Sequence, residues 1–584
     1  MIFLPHNRTS LGEAAALARG RIAPNVYDII AFAMLAALLV LLAHGAAGMR
    51  APSTLLSTSP VTLDLANLPE YALRTTLRMF AAIVVSLIFT FTVATLAAKN
   101  RRAEMVIIPA LDILQSVPVL GFLTFTVTFF MGLFPGSQLG AECAAIFAIF
   151  TSQAWNMAFS FYQSLRTVPG DLDEVSRGFG LSAWQRFWRL EAPFAAPGLV
   201  WNTMMSMSGG WFFVVASEAI TVGNTTVQLP GIGSWLALAI DKQDFKAVAW
   251  AVLAMGILIL LYDQLLFRPI VAWADKFRFE QTAGQEKPRS WVYNVLRRTR
   301  LIKTVGLPVA WIWQRAMLLR FGRRRAAEAT VATRRFSRTV DLVWLALVLV
   351  VALWGMVETI TYLHQTLGWD DVVVAFSGGL LTLLRVIVLI ALASVIWVPI
   401  GVWIGLRPAV AERVQPLAQF LAAFPANVLF PFAVIAIVAT GANPSIWLSP
   451  LMILGTQWYI LFNVIAGASA FPSDLKEAAG VFKIRSWSWW RHVMLPGIFP
   501  YYVTGALTAS GGSWNASIVA ELASWGNTKL EAFGLGSYIA KATEAGDFPR
   551  VILGIAVMSL FVTLFNRVLW RPLYVFAERR MRLD

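Results

Sequence analysis

The chain has 584 residues, 58% of them hydrophobic and only 14% charged, with a formal net charge of +15. Soluble domains carry about 25% charged residues, and the mean hydropathy here is +0.67. An ordinary soluble globular protein is therefore excluded, and the composition is that of an all-α polytopic membrane protein. Apolar runs near the length of a bilayer-crossing helix recur along the chain. They predict spans over 27–48, 70–98, 105–134, 142–165, 195–222 and 247–270, then 338–363, 372–406, 411–439, 446–468, 497–523 and 550–570. The segment before the first span, 1–26, lacks the order of a cleaved signal peptide. Cys143 is the single cysteine and lies in an apolar run, where it reads as a packing residue. The four histidines are scattered, so no metal site is expected.

The chain is written twice. Gly-Ile-Gly-Ser at 231–234 matches Gly-Leu-Gly-Ser at 534–537, and Phe-Arg-Pro at 267–269 matches Trp-Arg-Pro at 570–572, both at an offset of 303. Earlier, 109–118 aligns with 416–425 at an offset of 307, so a four-residue difference falls between. Four parts follow: an N-terminal segment, 1–26; a first half, 27–274; a linker, 275–337; and a second half, 338–584. Residues 275–338 hold 16 Lys/Arg and 4 Asp/Glu. Such a run invites a nucleic-acid reading, but basic residues between spans are better explained by the cytoplasmic side and its anionic headgroups. With both termini inside, the cytoplasmic loops hold 36 Lys/Arg, or 20 without the linker, and the outer loops only a handful. Six spans in each half make the repeats parallel. Within the linker, 307–325 has an apolar, Trp-containing body and a basic end, as in a helix lying among headgroups.

Two charged islands, 171–193 and 474–496, repeat at the same offset, and both fall on the cytoplasmic face. Asp171 and Asp474 are expected to cap a short helix, with Glu174 and Glu477 reaching back as in a capping box. In the first island Gly180 suits a left-handed residue ending that helix, and Ser182 suits the cap of the next. The second island has Lys483 at the glycine position, at a cost of about 1 kcal/mol if the left-handed turn is kept.

These islands resemble the "EAA" loop of permease subunits of binding-protein-dependent ABC importers. The first carries Glu174-Val175-Ser176, Gly180 and Ala192-Pro193; the second carries Glu477-Ala478-Ala479 and Leu495-Pro496, and both Glu-to-Pro spacings are 19. Ser208-Gly-Gly-Trp211 with Glu218, and Ser510-Gly-Gly-Ser-Trp514 with Glu521, narrow the likeness to the nitrate, sulfonate, taurine and bicarbonate branch. The resemblance implies two tandem six-helix permease repeats, about twelve transmembrane helices in all, in a bacterial inner membrane. It implies that the two loops are coupling helices docking on two ABC ATPase subunits, and that a substrate-binding protein meets the outer face. The chain has no Gly-x-x-x-x-Gly-Lys-Ser/Thr run. ATP and Mg²⁺ are therefore expected on the partner, with no cofactor and no catalytic residue here. The rival classes are a stand-alone secondary transporter or channel and a membrane scaffold without substrate.

Ionisable residues inside spans are costly and mark a pore or a partner. Glu218 is expected to pair with Arg78, and Glu521 with Arg385, either bracing helices or lining the substrate path. A charge exchange, Glu218→Arg with Arg78→Glu, is expected to rescue folding. Trp211, Trp514 and Asn515 are candidates for the path between halves, with Gln153 and Gln457 behind them. The turns at Gly231 and Gly534 are candidate gates, candidate contacts for the binding protein, or ordinary turn glycines.

Overall fold

The computed structural model describes residues 26–49, 61–115, 119–222, 225–277, 290–299, 301–319, 331–469 and 471–580. The segment 1–25 and part of the linker lie outside these. The described residues are mostly helical and form two compact units. One draws on Met1–Gly48, Ser160–Met204 and Leu260–Arg334; the other draws on Met49–Phe159, Met205–Ile259 and Arg335–Asp584. The first holds the loop at 171–193 and the linker helices. The second takes residues from both halves of the sequence, and its apolar core includes Val119, Ala144 and Phe213 beside Val386, Ile460, Val503 and Met558.

The predicted spans fall largely on helix. By length and apolarity, Leu65–Lys99, Phe245–Phe277, Val340–Thr366, Trp369–Gly405 and Phe548–Ala577 suffice to cross a membrane. Two bent pairs, Pro416–Ala423 with Ala426–Thr440 (76°) and Pro444–Leu454 with Trp458–Ser469 (45°), raise the number among the described residues to seven if each pair is one span. The first bend has a local cause, since Pro425 follows Phe424, and a residue before proline is pushed out of helical backbone. Phe424 is accordingly extended.

The fifth predicted span of each half is shorter than expected. Helix Ala192–Glu218 stops at its glutamate and continues as a hairpin, β1 (Ala219–Val222) with β2 (Thr225–Gln228). Helix Leu495–Ala520 does the same into β3 (Leu522–Trp525) and β4 (Thr528–Glu531). An all-α reading therefore omits two antiparallel hairpins. The first hairpin has a sequence signal, since Ala-Ile-Thr-Val and Thr-Thr-Val-Gln are rich in β-branched residues; the second, Leu-Ala-Ser-Trp and Thr-Lys-Leu-Glu, has little beyond the Gly526-Asn527 pair between its strands. The repeat also extends to irregularities of the helices. π-turns at Phe187–Glu191 and Asp263–Phe267 recur at Trp490–Met494 and Asn566–Trp570, each 303 residues on.

Both charged islands fold as helix, turn, helix. The first helix is Gly170–Gly178 in one copy and Ser473–Val481 in the other. Their N-caps are Pro169 and Pro472, without a side-chain cap bond, so Asp171 and Asp474 lie inside the first turn and are not the capping residues. Proline has no N–H and a fixed φ, so it enters a helix readily. An acid in the first turn, as Asp171 is, then stands at the positive end of the helix dipole. Each helix ends in a paired turn. Gly180 N donates to Arg177 O (2.9 Å) and Leu181 N to Ser176 O (3.2 Å); Lys483 N donates to Gly480 O (3.1 Å) and Ile484 N to Ala479 O (2.9 Å). Gly180 has φ +65° and Lys483 φ +52°. The second loop keeps the left-handed residue although a lysine occupies it. Ser182 caps the next helix in a full capping box with Gln185. Pro193 and Pro496 stand in the first turn of the long helices that follow, just after the π-turns.

Gly180→Ala is expected to speed amide exchange across 171–186 by about fivefold, the equivalent of about 1 kcal/mol for a Cβ in left-handed backbone. Lys483→Gly is expected to slow it across 474–489 by a similar factor. Exchange mass spectrometry on the purified chain reads both; unchanged rates would separate loop stability from this turn.

Candidate functional site

The end of helix Ala192–Glu218 is where buried charge gathers. Arg78, from Leu65–Lys99, forks onto Glu142 of helix Leu139–Arg166: its Nε donates to Oε2 at 2.6 Å and its Nη2 to Oε1 at 2.7 Å. Its Nη1 donates to Glu218 Oε1 at 2.6 Å. All three side chains are fully buried. Glu218 accepts two more bonds, from Thr75 Oγ1 (2.7 Å) and from the backbone N of Gly233 (2.6 Å). Thr75 Oγ1 in turn accepts from Ile232 N at 3.0 Å. The carboxylate thus sits on the N-terminus of helix Ile232–Asp241, where unpaired N–H groups and the helix dipole favour an anion. A Cβ on Gly231 would fall on the Glu218 carboxylate. Gly231 is fixed by this close approach, and its backbone is extended.

The second half repeats the arrangement with the partner acid replaced and the backbone donor shifted by one residue. Arg385 Nη1 donates to Glu521 Oε1 (2.9 Å) and to Phe533 O (2.9 Å). Thr382 Oγ1 donates to the same Oε1 (2.8 Å) and accepts from Leu535 N (3.0 Å), while Ser537 N donates to Oε2 (3.2 Å). A Cβ on Gly534 would meet the Glu521 carboxylate. The place of Glu142 is taken by a backbone carbonyl: Arg385 Nη2 donates to Ser445 O at 3.3 Å, and Ser445 stands 303 residues after Glu142. One guanidinium faces two carboxylates in the first half and one in the second. Sequence reading misses Glu142, which looks like an ordinary first-turn acid at the start of a span.

The other predicted path residues are placed as follows. Trp211 and Trp514 are each 1% exposed, and Trp514 stacks on Phe561 at 6.4 Å, so both are packed in the interior. Asn515 Oδ1 accepts from Val119 N at 2.8 Å, joining the two halves of the sequence. A counterpart runs the other way, from Asn427 Nδ2 to Phe212 O at 3.2 Å. Sequence reading misses Asn427 too, although it follows the break at Pro425. Gln153 lies beside Ser86 and Met207, and Gln457 Oε1 accepts from Trp397 Nε1 at 2.9 Å, each within its own half. Among the described residues no group of three or more His, Cys, Asp or Glu is arranged to hold a metal.

The two charged loops present apolar side chains to the outside. Phe179 is 79% exposed and its counterpart Phe482 is 76% exposed, while Glu174 and Glu477 are exposed beside them. In the first loop Arg186 braces the two helices, reaching Asp173 (2.9 Å) and Glu191 (3.0 Å). The corresponding residues of the second loop are Lys476, Trp489 and Met494, which cannot form that brace.

Removing one partner of a buried ion pair costs about 3–5 kcal/mol. Arg78→Met strands two carboxylates and is expected to prevent recovery of monodisperse protein. Arg385→Met strands one and is expected to leave folded protein of lowered thermal stability. Exchanging Arg78 and Glu218 is expected not to rescue, because an arginine at 218 would point donors at the N–H of Gly233 and leave two acids together at 78 and 142. Size-exclusion profiles and thermal melts of the three variants decide; equal losses in both arginine variants would remove Glu142 from the brace.

Residues 86–267 and 397–582 each match the family described as binding-protein-dependent transport system inner membrane component. Similar relatives include the nitrate import permease protein NrtB of Leptolyngbya laminosa, 28% identical over 185 residues, which is 32% of this chain and 63% of the relative. The bicarbonate transport system permease protein CmpB of Synechococcus elongatus is 29% identical over 198 residues, 33% of this chain and 67% of the relative. The osmoprotectant import permease protein OsmY of Salmonella typhimurium is 27% identical over 181 residues, 30% of this chain and 71% of the relative. The matches to the nitrate and bicarbonate proteins thus span about two thirds of those relatives' length. Because the family's domain occurs twice and covers more than half of the sequence, the chain belongs to the inner membrane components of binding-protein-dependent transport systems, a family of transport subunits and not of enzymes.

Proposed function

We propose that this one chain supplies both membrane halves, 27–274 and 338–584, of an ATP-driven importer for a small anion. Twelve spans cross a bacterial inner membrane, with 1–26, the linker 275–337 and the C-terminus on the cytoplasmic side. The loops at 171–193 and 474–496 dock on two ATPase subunits, which carry the ATP and Mg²⁺, and a substrate-loaded binding protein meets the outer face. ATP-driven closure of the ATPases pulls the two loops, and the halves alternate between outward and inward openings. Nitrate and bicarbonate are the favoured cargo classes because relatives of those names align with this chain, and a sulfonate such as taurine fits the same branch.

The observation that carries this reading is the pair of loops. Each presents a bare phenylalanine, Phe179 or Phe482, one residue before a left-handed turn. Neither phenylalanine is isolated: Val175, one helical turn before Phe179, is 55% exposed, and Val481, next to Phe482, is 78% exposed. An apolar patch on a polar loop suits a protein interface, where aromatic anchors dominate the binding energy. The braces at Glu218 and Glu521 hold helix ends together, so they support the fold of each half and leave cargo selection to other groups. Asn515 and Asn427, which bridge the halves, are better placed to respond when the halves move.

Purification from native membranes in mild detergent, with mass spectrometry of the copurifying chains, tests the reading. A P-loop ATPase at two copies per chain is expected. Phe179→Ser with Phe482→Ser is expected to lower its recovery by about tenfold or more, and Glu174→Ala with Glu477→Ala is expected to uncouple or release it. A chain that emerges alone and transports without regard to ATP would instead be a stand-alone transporter.

A further inference from the structure

The linker helix Leu301–Leu318 ends on the first charged loop. Trp184 Nε1 donates to Ala316 O at 2.8 Å and Gln185 Nε2 to Leu318 O at 2.9 Å. The last carbonyls of a helix have no partner inside it, so the loop caps the linker helix. Trp188 and Trp313 meet edge to face at 4.9 Å. Gln185 works at both ends: its Oε1 accepts from Ser182 N at 3.0 Å, closing the loop's own capping box. The second loop has Trp487 where the first has Trp184, and Ser488 where it has Gln185. Trp487 is 72% exposed, and a serine is too short to make the double contact.

Beyond its seat on the loop the linker helix is bare on most sides: Ile312 is 61% exposed, and Trp313 is 48% exposed despite its contact with Trp188. Leu307, Trp311 and Leu318 recur at intervals of four and seven, which places them on one helical face, and they are 63%, 58% and 46% exposed. Arg315 lies 5.0 Å over the Trp311 ring. An apolar, tryptophan-bearing face edged by arginine, in a segment carrying a net +12 between membrane spans, is complementary to an anionic lipid surface.

We propose that helix Leu301–Leu318 binds anionic headgroups through this face and, when bound, holds the first charged loop, leaving the second loop free of such control. Lipid charge then sets the stiffness of one of the two loops. The consequence for transport rests on the docking role given to those loops above; the lipid contact and its effect on the loop do not.

The test is amide exchange of the full chain in nanodiscs of phosphatidylcholine alone or mixed with phosphatidylglycerol. The anionic lipid is expected to slow exchange about fivefold across both 301–319 and 171–193, with 474–496 unchanged. Trp311→Glu with Arg315→Glu is expected to remove the lipid response from both segments while 474–496 keeps its parental rate, showing an intact fold. Trp184→Phe, which loses the donor and keeps a ring, is expected to retain the response in 301–319 and weaken it in 171–193. A linker helix indifferent to phosphatidylglycerol overturns the proposal. So does an equal response in both loops, which would be a general surface effect, or protection of the helix without the loop. No ATPase enters the measurement, so failed ATPase capture would refute the importer reading and leave this result standing.

Discussion

A carboxylate anchored on the start of a helix is the constraint on which each half is built. Helix Ala192–Glu218 stops where its glutamate receives the N–H of Gly233 and the guanidinium of Arg78; helix Leu495–Ala520 is followed by Glu521, held by Ser537 N and Arg385. In an apolar surrounding, unsatisfied backbone groups and lone charges both cost several kcal/mol. The same few atoms remove both penalties: the arginine neutralises the acid, and the acid and the threonine bonded to it each satisfy one N–H of the next helix. The hairpin then has a fixed place to begin, and the glycine of each Gly-x-Gly-Ser turn is dictated by the carboxylate lying against it.

The halves share this plan and differ in charge. Arg78 divides its donors between two acids; Arg385 divides them between one acid and two carbonyls. The first brace is therefore the more electrostatic and the less tolerant of loss, since a stranded pair of carboxylates repels as well as being desolvated. The loops diverge in the same sense. Arg186 ties the first loop's helices together through Asp173 and Glu191, and the linker helix is seated on it; the second loop has neither residue set.

Much of this is legible from residues alone. The offset of 303 locates the loops, the Gly-x-Gly-Ser turns that follow the hairpins and the glutamates, and the offset of 307 locates the arginines, because a duplicated chain must solve the same burial problem twice. Lys483 in left-handed backbone is readable from its alignment with Gly180. What escapes depends on groups distant in sequence or on backbone. Glu142 is 64 residues from Arg78 and has a serine as its counterpart, so the repeat points away from it. Asp171 and Asp474 look like caps only if the prolines before them are overlooked. Pro169 and Pro472 already supply the extended entry residue, and each helix starts ahead of its aspartate.

Joining two copies in one chain changes what evolution of sequence can reach. Two identical subunits must carry the same loop twice, so a brace or a tether added to one is added to both. Here the linker occurs once, and only the first loop bears the tryptophan and glutamine that cap its helix. The asymmetry has a cost: the second loop keeps a lysine in a backbone region that favours glycine and leaves Trp487 bare to solvent or to a partner. With Phe482 and Trp487 both bare, the second loop is the more apolar of the two, while the first carries the arginine brace and the seated linker helix. Covalent fusion thus lets two properties sit on different loops, exposed apolar area on the second and a braced geometry on the first, which a symmetric dimer would have to combine in one.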